Sequence, residues 1–185
     1  MESKFFAGMA ERVMLTEARQ IRDYFLDDRI RAAVQARVDA TITDETRVVL
    51  AHSLGSVAAY EVLCARPFHH VRALVTFGSQ LGTPNLVFHR LRPAPAPVGD
   101  TGELRGAWPG GGHLTWTNLA DTGDVTALVK DLRPLFGPRV RSVVVDNGVR
   151  AHSALSYLGN PACAAAIIAG LGLEPVVIPG SASGA

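Results

Sequence analysis

The stretch Ala51-His52-Ser53-Leu54-Gly55-Ser56 is the most informative segment of this 185-residue chain. An apolar run (Val-Val-Leu) precedes it at 48–50, and a helical pattern (Val-Ala-Ala-Tyr-Glu-Val-Leu) follows it at 57–63. The segment therefore predicts a buried strand, a sharp turn at Ser53 and a helix. This is the setting of a nucleophile elbow, in which the turn lifts a serine hydroxyl clear of a sheet and the helix N-terminus faces developing negative charge. The usual pattern is Gly-x-Ser-x-Gly, and Ala51 in place of the first glycine is the smallest possible departure from it.

Further short strands and helices alternate along the chain. Helical patterns cover residues 15–25, 30–42, 123–135 and 152–170, and apolar β-branched runs predict strands at 71–77, 114–119 and 140–145. This alternation predicts an α/β fold with a mostly parallel sheet and flanking helices. Because such sheets bind ligands at the carboxyl ends of their strands, Ser53 lies where a site is expected.

The domain organisation predicted from the sequence is simple. Residues 1–178 are expected to form one domain, with a possible lid loop at 82–113, which is rich in proline and glycine from residue 92 onward. Residues 4–8 could be the end of a strand, and the glycine- and serine-rich tail at 179–185 is expected to be disordered.

Composition narrows the class of protein. Apolar residues make up 48% of the chain and charged residues 19%, which is typical of a soluble globular protein. The net charge of +1 gives no global argument for a nucleic-acid partner. No apolar run reaches membrane-spanning length and no secretory leader is evident, so we expect a cytoplasmic location. Cys64 and Cys163 are expected to be buried free thiols, and neither a metal site nor a cofactor is expected.

A serine nucleophile requires a base, and the base requires an orienting carboxylate. If Ser53 is the nucleophile, the acid and then the histidine should follow at later strand ends. Asp121 and Asp124 both follow the strand at 114–119. We favour Asp124, because an acid after a glycine-containing turn fits a loop that curls back to the strand end, and we expect Asp121 to cap a turn or helix. His152 is the only histidine after Asp124, so the order allows no other base.

Four motifs in order resemble the lipase- and esterase-like branch of the α/β-hydrolase superfamily over roughly residues 47–170. The resemblance implies Ser53 as nucleophile, Asp124 as acid and His152 as base of a serine hydrolase, with the backbone N–H of Leu54 as one oxyanion donor. The motifs are Ala-His-Ser-Leu-Gly-Ser at 51–56, Phe-Gly-Ser-Gln-Leu-Gly-Thr-Pro at 77–84, Trp-Thr-Asn-Leu-Ala-Asp-Thr-Gly-Asp-Val at 116–125 and Ala-His-Ser at 151–153.

The chain also departs from that superfamily at its N-terminal side. Its members carry an earlier strand that ends in a His-Gly turn and supplies the second oxyanion N–H, but the first histidine here is His52. The fold is therefore expected to be an N-terminally abbreviated version. Three explanations account for the missing strand. The chain is a fragment of a longer hydrolase, or its sheet is completed at the exposed edge by a second copy or a complementing chain, or it is a degenerate fold kept for binding.

The expected function is hydrolysis of a small-molecule ester or thioester through an acyl-enzyme at Ser53. The alternatives are a non-catalytic interaction module, and an acyltransferase or cyclase that uses the same triad. Apolar residues in or beside the possible lid loop at 82–113 are expected to line the acyl pocket. The alternative is that this loop packs on the core. The residues expected in the pocket are Leu81, Leu86, Phe88 and Trp108.

Overall fold

The computed structural model describes residues 15–66, 69–100 and 102–174. Within them the chain forms an α/β fold in which a four-stranded parallel sheet is flanked by helices. The strands are β1 (Val48–His52), β2 (Ala73–Phe77), β3 (Ala96–Val98), β4 (Glu103–Arg105), β5 (Thr115–Asp121) and β6 (Arg141–Val145). The helices are α1 (residues 15–26), α2 (Asp28–Thr41), α3 (Leu54–Ala65), α4 (Arg133–Phe136), α5 (Ala154–Leu158) and α6 (Pro161–Leu171).

The parallel sheet has the strand order β1-β2-β5-β6. Its register pairs His52 with Phe77 and Phe77 with Leu119, and Asp121 with Val145 farther along β5. All four strands run the same way, so the residues that follow them meet at one edge. That edge carries the candidate functional site described below.

Two apolar clusters lie on opposite faces of the sheet. The larger cluster packs α1, α2 and α3 against one face and contains Tyr60, Leu74 and Trp116. The smaller one packs α5 and α6 against the other face and contains Phe77 and Tyr157. The sequence of β2 does not alternate between apolar and polar residues because both of its faces are covered, and all five of its residues are buried.

A buried carboxylate ties the N-terminal helices to the rest of the molecule. Glu61 of α3 accepts hydrogen bonds from Tyr24 of α1 at 2.6 Å and from Gln35 of α2 at 2.7 Å, and it forms an ion pair with Arg31. The backbone N–H of Arg92 donates to the same carboxylate at 2.9 Å. Because these partners satisfy a charge that water does not reach, they fix α1 over the carboxyl end of β1.

Two predicted helices differ in the structure. The helix expected at 123–135 is wrong, because only Arg133–Phe136 is helical there. The Asp124 carboxylate accepts hydrogen bonds from the backbone N–H groups of Thr126 and Ala127, and such side-chain bonds hold the backbone in a turn. The helix expected at 152–170 is divided into α5 and α6 at Pro161, which starts α6 behind the Asn160 cap.

The predicted loop at 82–113 contains some regular structure. β3 and β4 pair as a short antiparallel hairpin, and a 3₁₀ helix covers Pro109–Gly112. The strand expected at 4–8 and the tail at 179–185 lie outside the described residues. Among the residues that are described, none of the helices has the length and apolar character needed to cross a membrane.

Candidate active site

Ser53 occupies a strained turn between β1 and α3. Its backbone has φ 51° and ψ −130°, a left-handed conformation that residues with a side chain rarely adopt. The Ser53 N–H donates to the Phe77 carbonyl at 3.2 Å, and Ser56 Oγ donates to the Ser53 carbonyl at 2.5 Å. These bonds hold a conformation that costs on the order of 1–3 kcal/mol, and strain of this kind concentrates at functional sites.

His152 and Asp124 lie together at the same edge of the sheet. His152 follows β6 and Asp124 follows β5, and their Nδ1 and Oδ2 atoms are 2.8 Å apart. An Nδ1–H that donates to the carboxylate leaves Nε2 of the neutral ring free to accept a proton. Thr126 Oγ1, 2.7 Å from both His152 Nδ1 and Asp124 Oδ1, supports the pair from the side.

Asp121, the alternative acid, has different partners. Its carboxylate accepts hydrogen bonds from the backbone N–H groups of Gly123, at 2.7 Å, and of Asn147. It thereby joins the loop after β5 to the loop after β6. The structure places Asp124, and not Asp121, against the His152 ring.

Two further side chains hold the histidine and the acid in place. Tyr157 donates to Asp124 Oδ2 at 2.8 Å and accepts from the Asp121 N–H at 2.8 Å. His52 Nε2 lies 3.0 Å from the His152 carbonyl, and the two imidazole rings are 4.6 Å apart. The His152 backbone and ring are thus braced by the last residue of β1.

Gly78, which follows β2, leaves the space that this arrangement requires. Its φ is +53°, and a Cβ there would lie 3.0 Å from Asp124 Oδ2 and 3.1 Å from His152 Nδ1. A larger residue would be strained and would also push into the bond between the acid and the histidine.

Burial and hydrogen bonding set the protonation of these groups. Burial alone raises the pKa of Asp124, but hydrogen bonds from His152, Thr126 and Tyr157 outweigh it and hold the pKa well below its ordinary value. Burial lowers the pKa of His52, and the neighbouring His152 lowers it further. The site therefore holds an ionised acid beside a neutral His52 at neutral pH.

Glu17 of α1 enters the site between Ser53 and His152. Ser53 Oγ donates a hydrogen bond to Glu17 Oε2 at 2.7 Å, and Glu17 Oε1 lies 3.9 Å from His152 Nε2. Gln80 Nε2 donates to the same Oε2 atom at 2.8 Å. The carboxylate thus occupies the space in front of the serine that an acyl group would need.

A mostly apolar cavity of about 310 Å³ opens beside Glu17. It lies between α1 and the loops after β2 and β5, and its wall includes Ile21, Phe25, Leu86 and Leu128. Of the four residues expected to bind substrate, only Leu86 lines this cavity. Leu81 and Phe88 are buried in the larger core cluster, and Trp108 packs on Trp116, so these three do not reach it.

Sequence reasoning missed several residues of the site. Gln80 lies within a quoted motif at the end of β2, so its position at a strand end could have identified it. Glu17 gave no such signal, because only the packing of α1 against α3 brings it to Ser53. Among the described residues, no group of three or more histidine, cysteine or acidic side chains could hold a metal ion.

Comparisons with protein-family models, with curated proteins and with solved structures found no match to this chain.

Proposed function

We propose that this protein is a serine hydrolase of α/β-hydrolase type that cleaves an ester or thioester through an acyl-enzyme on Ser53. The observation that carries the proposal is the convergence of three residue types at one sheet edge. A strained serine, a histidine whose Nδ1 atom contacts the acid, and an ionised aspartate follow β1, β6 and β5. Their chain order, Ser-Asp-His, is that of the α/β-hydrolases.

Each residue has a definite part in the proposed reaction. Ser53 Oγ bonds to the acyl carbon while its proton passes to His152 Nε2, and Asp124 stabilises the imidazolium that forms. The bond to the leaving oxygen or sulfur then breaks, and that atom takes the proton from His152. A water molecule repeats the sequence on the acyl-enzyme, releasing the acid and restoring Ser53.

Leu54 offers one oxyanion donor. As the first residue of α3, its N–H has no acceptor one turn earlier in the helix. The helix N-terminus also favours negative charge near Ser53. Glu17 has to withdraw from Ser53 before an acyl carbon can reach Oγ, because its carboxylate accepts a hydrogen bond from that hydroxyl and lies in front of it.

The cavity indicates the kind of acyl group. Its wall is formed mainly by aliphatic and aromatic side chains, and it begins at Glu17, Gln80 and Thr126 beside the three reacting residues. An apolar acyl chain placed there would have its carbonyl carbon close to Ser53. We therefore propose an apolar acyl substrate.

Labelling with a fluorophosphonate tests the proposal directly. The wild-type chain should label and should hydrolyse p-nitrophenyl esters, and Ser53→Ala should lose the label and at least about 10³-fold in turnover. Ser156→Ala, on the partly buried face of α5, is the matched control and should keep both. A wild-type chain that neither labels nor turns over would favour a non-catalytic interaction module. A chain that labels, but whose ester products show the acyl group on an acceptor other than water, would favour an acyltransferase.

A further inference from the structure

Gln80 is a buried amide whose role the packing of the protein leaves open. It lies just after β2, next to the strand that ends at Ser53, and it is 1% exposed. Its Oε1 atom is buried and accepts no hydrogen bond from the described residues. A buried amide oxygen without a hydrogen-bond donor costs stability. The hydrogen bond made by the Nε2 group is therefore the polar contact that holds this side chain in position.

That Nε2 group points at an oxygen beside the nucleophile. Glu17 Oε2 is 2.8 Å from Gln80 Nε2 and 2.7 Å from Ser53 Oγ. The reversed amide would bring two acceptor oxygens together, so the N–H must face the carboxylate. A negatively charged oxygen is thus held between the hydroxyl that would attack and an amide donor.

The oxyanion of a tetrahedral intermediate also lies next to the serine oxygen and needs a hydrogen-bond donor on its other side. It is bonded to the carbon that Ser53 Oγ attacks, and it needs donors about 2.7–3.1 Å away. Glu17 Oε2 therefore marks a place that suits this charge, and Gln80 Nε2 is within the required distance of it. On the proposed function, on which this step rests, Leu54 supplies the other donor.

We propose that the side-chain amide of Gln80 is the second oxyanion donor of this site, acting together with the Leu54 N–H. It supplies from the loop after β2 the hydrogen bond that an earlier strand supplies in related folds. Gln80 is then a catalytic residue, which contacts the reacting oxygen and does not act by positioning another side chain.

The test must separate this role from the simpler one of holding Glu17. Gln80→Met keeps the length of the side chain and removes the donor, and Gln80→Leu is a second variant in case the first folds poorly. Each is made alone and in a Glu17→Ala background, where Gln80 has no carboxylate left to hold. Gln20→Met, which removes an exposed amide that does not line the cavity, is the matched control. Turnover of a p-nitrophenyl ester is normalised to the folded fraction from circular dichroism.

We expect Gln80→Met to lower kcat by about 10²–10³-fold with little change in KM, in both backgrounds. An alkylboronic acid, which forms a tetrahedral adduct with the serine, should lose affinity in the same variants, and Gln20→Met should change neither value. A loss that disappears in the Glu17→Ala background would overturn the proposal, since Gln80 would then only place Glu17. Turnover within about tenfold of wild type would overturn it as well.

The outcomes also distinguish the two proposals. If wild type is active and Ser53→Ala is not, yet Gln80→Met retains activity, the proposed hydrolase stands and only the oxyanion assignment fails. If wild type shows neither labelling nor turnover, both fail together.

Discussion

Asp121 and Asp124, three positions apart, have different hydrogen-bond partners. Within the part of the chain that the structure describes, the Asp121 carboxylate accepts hydrogen bonds only from backbone N–H groups and joins two loops, whereas Asp124 contacts the His152 ring, the Thr126 hydroxyl and the Tyr157 hydroxyl. A carboxylate bound to backbone holds a loop in shape, and a carboxylate bound to imidazole selects its tautomer.

Substitution of each aspartate by asparagine should separate these roles. We expect Asp124→Asn to lower kcat by about 10³–10⁴-fold, because the amide no longer selects the tautomer with a free Nε2. Asp121→Asn should lower the free energy of unfolding by about 1 kcal/mol and leave kcat within about tenfold of wild type. Steady-state kinetics and urea denaturation of both variants give the comparison. The reverse ranking would make Asp121 the acid.

The same residues predict how stability depends on pH. Burial lowers the pKa of His52, so below about pH 6.5 the unfolded chain takes up a proton that the folded protein resists. Hydrogen bonds overcome burial and lower the pKa of Asp124, so its stabilising effect is present above about pH 4 and is lost as the pH falls through the lowered value. The free energy of unfolding should therefore fall in two ranges on acidification.

Urea denaturation at several pH values, followed by circular dichroism, measures both ranges. His52→Gln should reduce the decrease between about pH 6.5 and 5, and Asp124→Asn should reduce the decrease below about pH 4. An unchanged upper range in His52→Gln would assign it to another histidine such as His69, whose pKa burial also lowers, and an unchanged lower range in Asp124→Asn would assign it to other carboxylates.

At the scale of the elements, α1 forms both the cover of the site and a wall of its cavity. Tyr24, seven residues after Glu17 and so on the same helix face, is fixed to Glu61 and holds α1 in this place. Several exposed apolar side chains line the cavity between α1 and the loop after β5, and one of them is Leu128, which is 61% exposed.

Filling this cavity should change which acyl groups are accepted. Leu128→Trp adds bulk at an exposed position of the wall, and we expect kcat/KM for long-chain p-nitrophenyl esters to fall about tenfold relative to short ones. Trp108→Ala is the comparison: Trp108 packs on Trp116 and under Arg139, so its loss should cost about 3 kcal/mol of stability without changing chain-length preference. A shift of chain-length preference in Trp108→Ala and not in Leu128→Trp would instead place the acyl site beside Trp108 in the loop at 82–113.

The elements also show how far sequence patterns reach. The strands of the parallel sheet and α3 could be predicted because apolar β-branched runs and the turn at Ser53 are local signals. The prediction of a helix at 123–135 was wrong because the Asp124 side chain accepts hydrogen bonds from backbone N–H groups and holds them in a turn. The contact between Asp124 and His152 at the sheet edge where Ser53 also lies could be predicted from the chain order of the strand ends, whereas the position of Glu17 depends on the packing of α1 and no local pattern reveals it.

At the scale of the whole molecule, β1 lies at one edge of the sheet. Within the described residues its only strand neighbour is β2, and Leu50 on β1 is 43% exposed. A groove of about 370 Å³ runs along β1 beside α2 and α3. An apolar edge of this kind presents unpaired backbone groups that favour pairing with another strand.

We expect the purified chain to associate with a second copy through this edge. Light scattering should give a mass above the 19.6 kDa of one chain, and Leu50→Lys should move it toward that value, because an edge lysine opposes strand pairing. Val149→Lys, at a 97% exposed position in the loop after β6, is the matched control and should not change the mass. A monomeric wild-type chain at high concentration would contradict the expectation.

The site is assembled from segments that are far apart along the chain. Its serine follows the first strand of the sheet and its histidine follows the last, so more than half of the sequence separates them. Contacts of such long range form late, because the intervening chain must first be ordered. A nascent polypeptide still emerging from the ribosome carries the serine well before it carries the base. On the proposed function, covalent labelling of that serine consequently reports completed folding, and it should return last when the denatured protein is renatured.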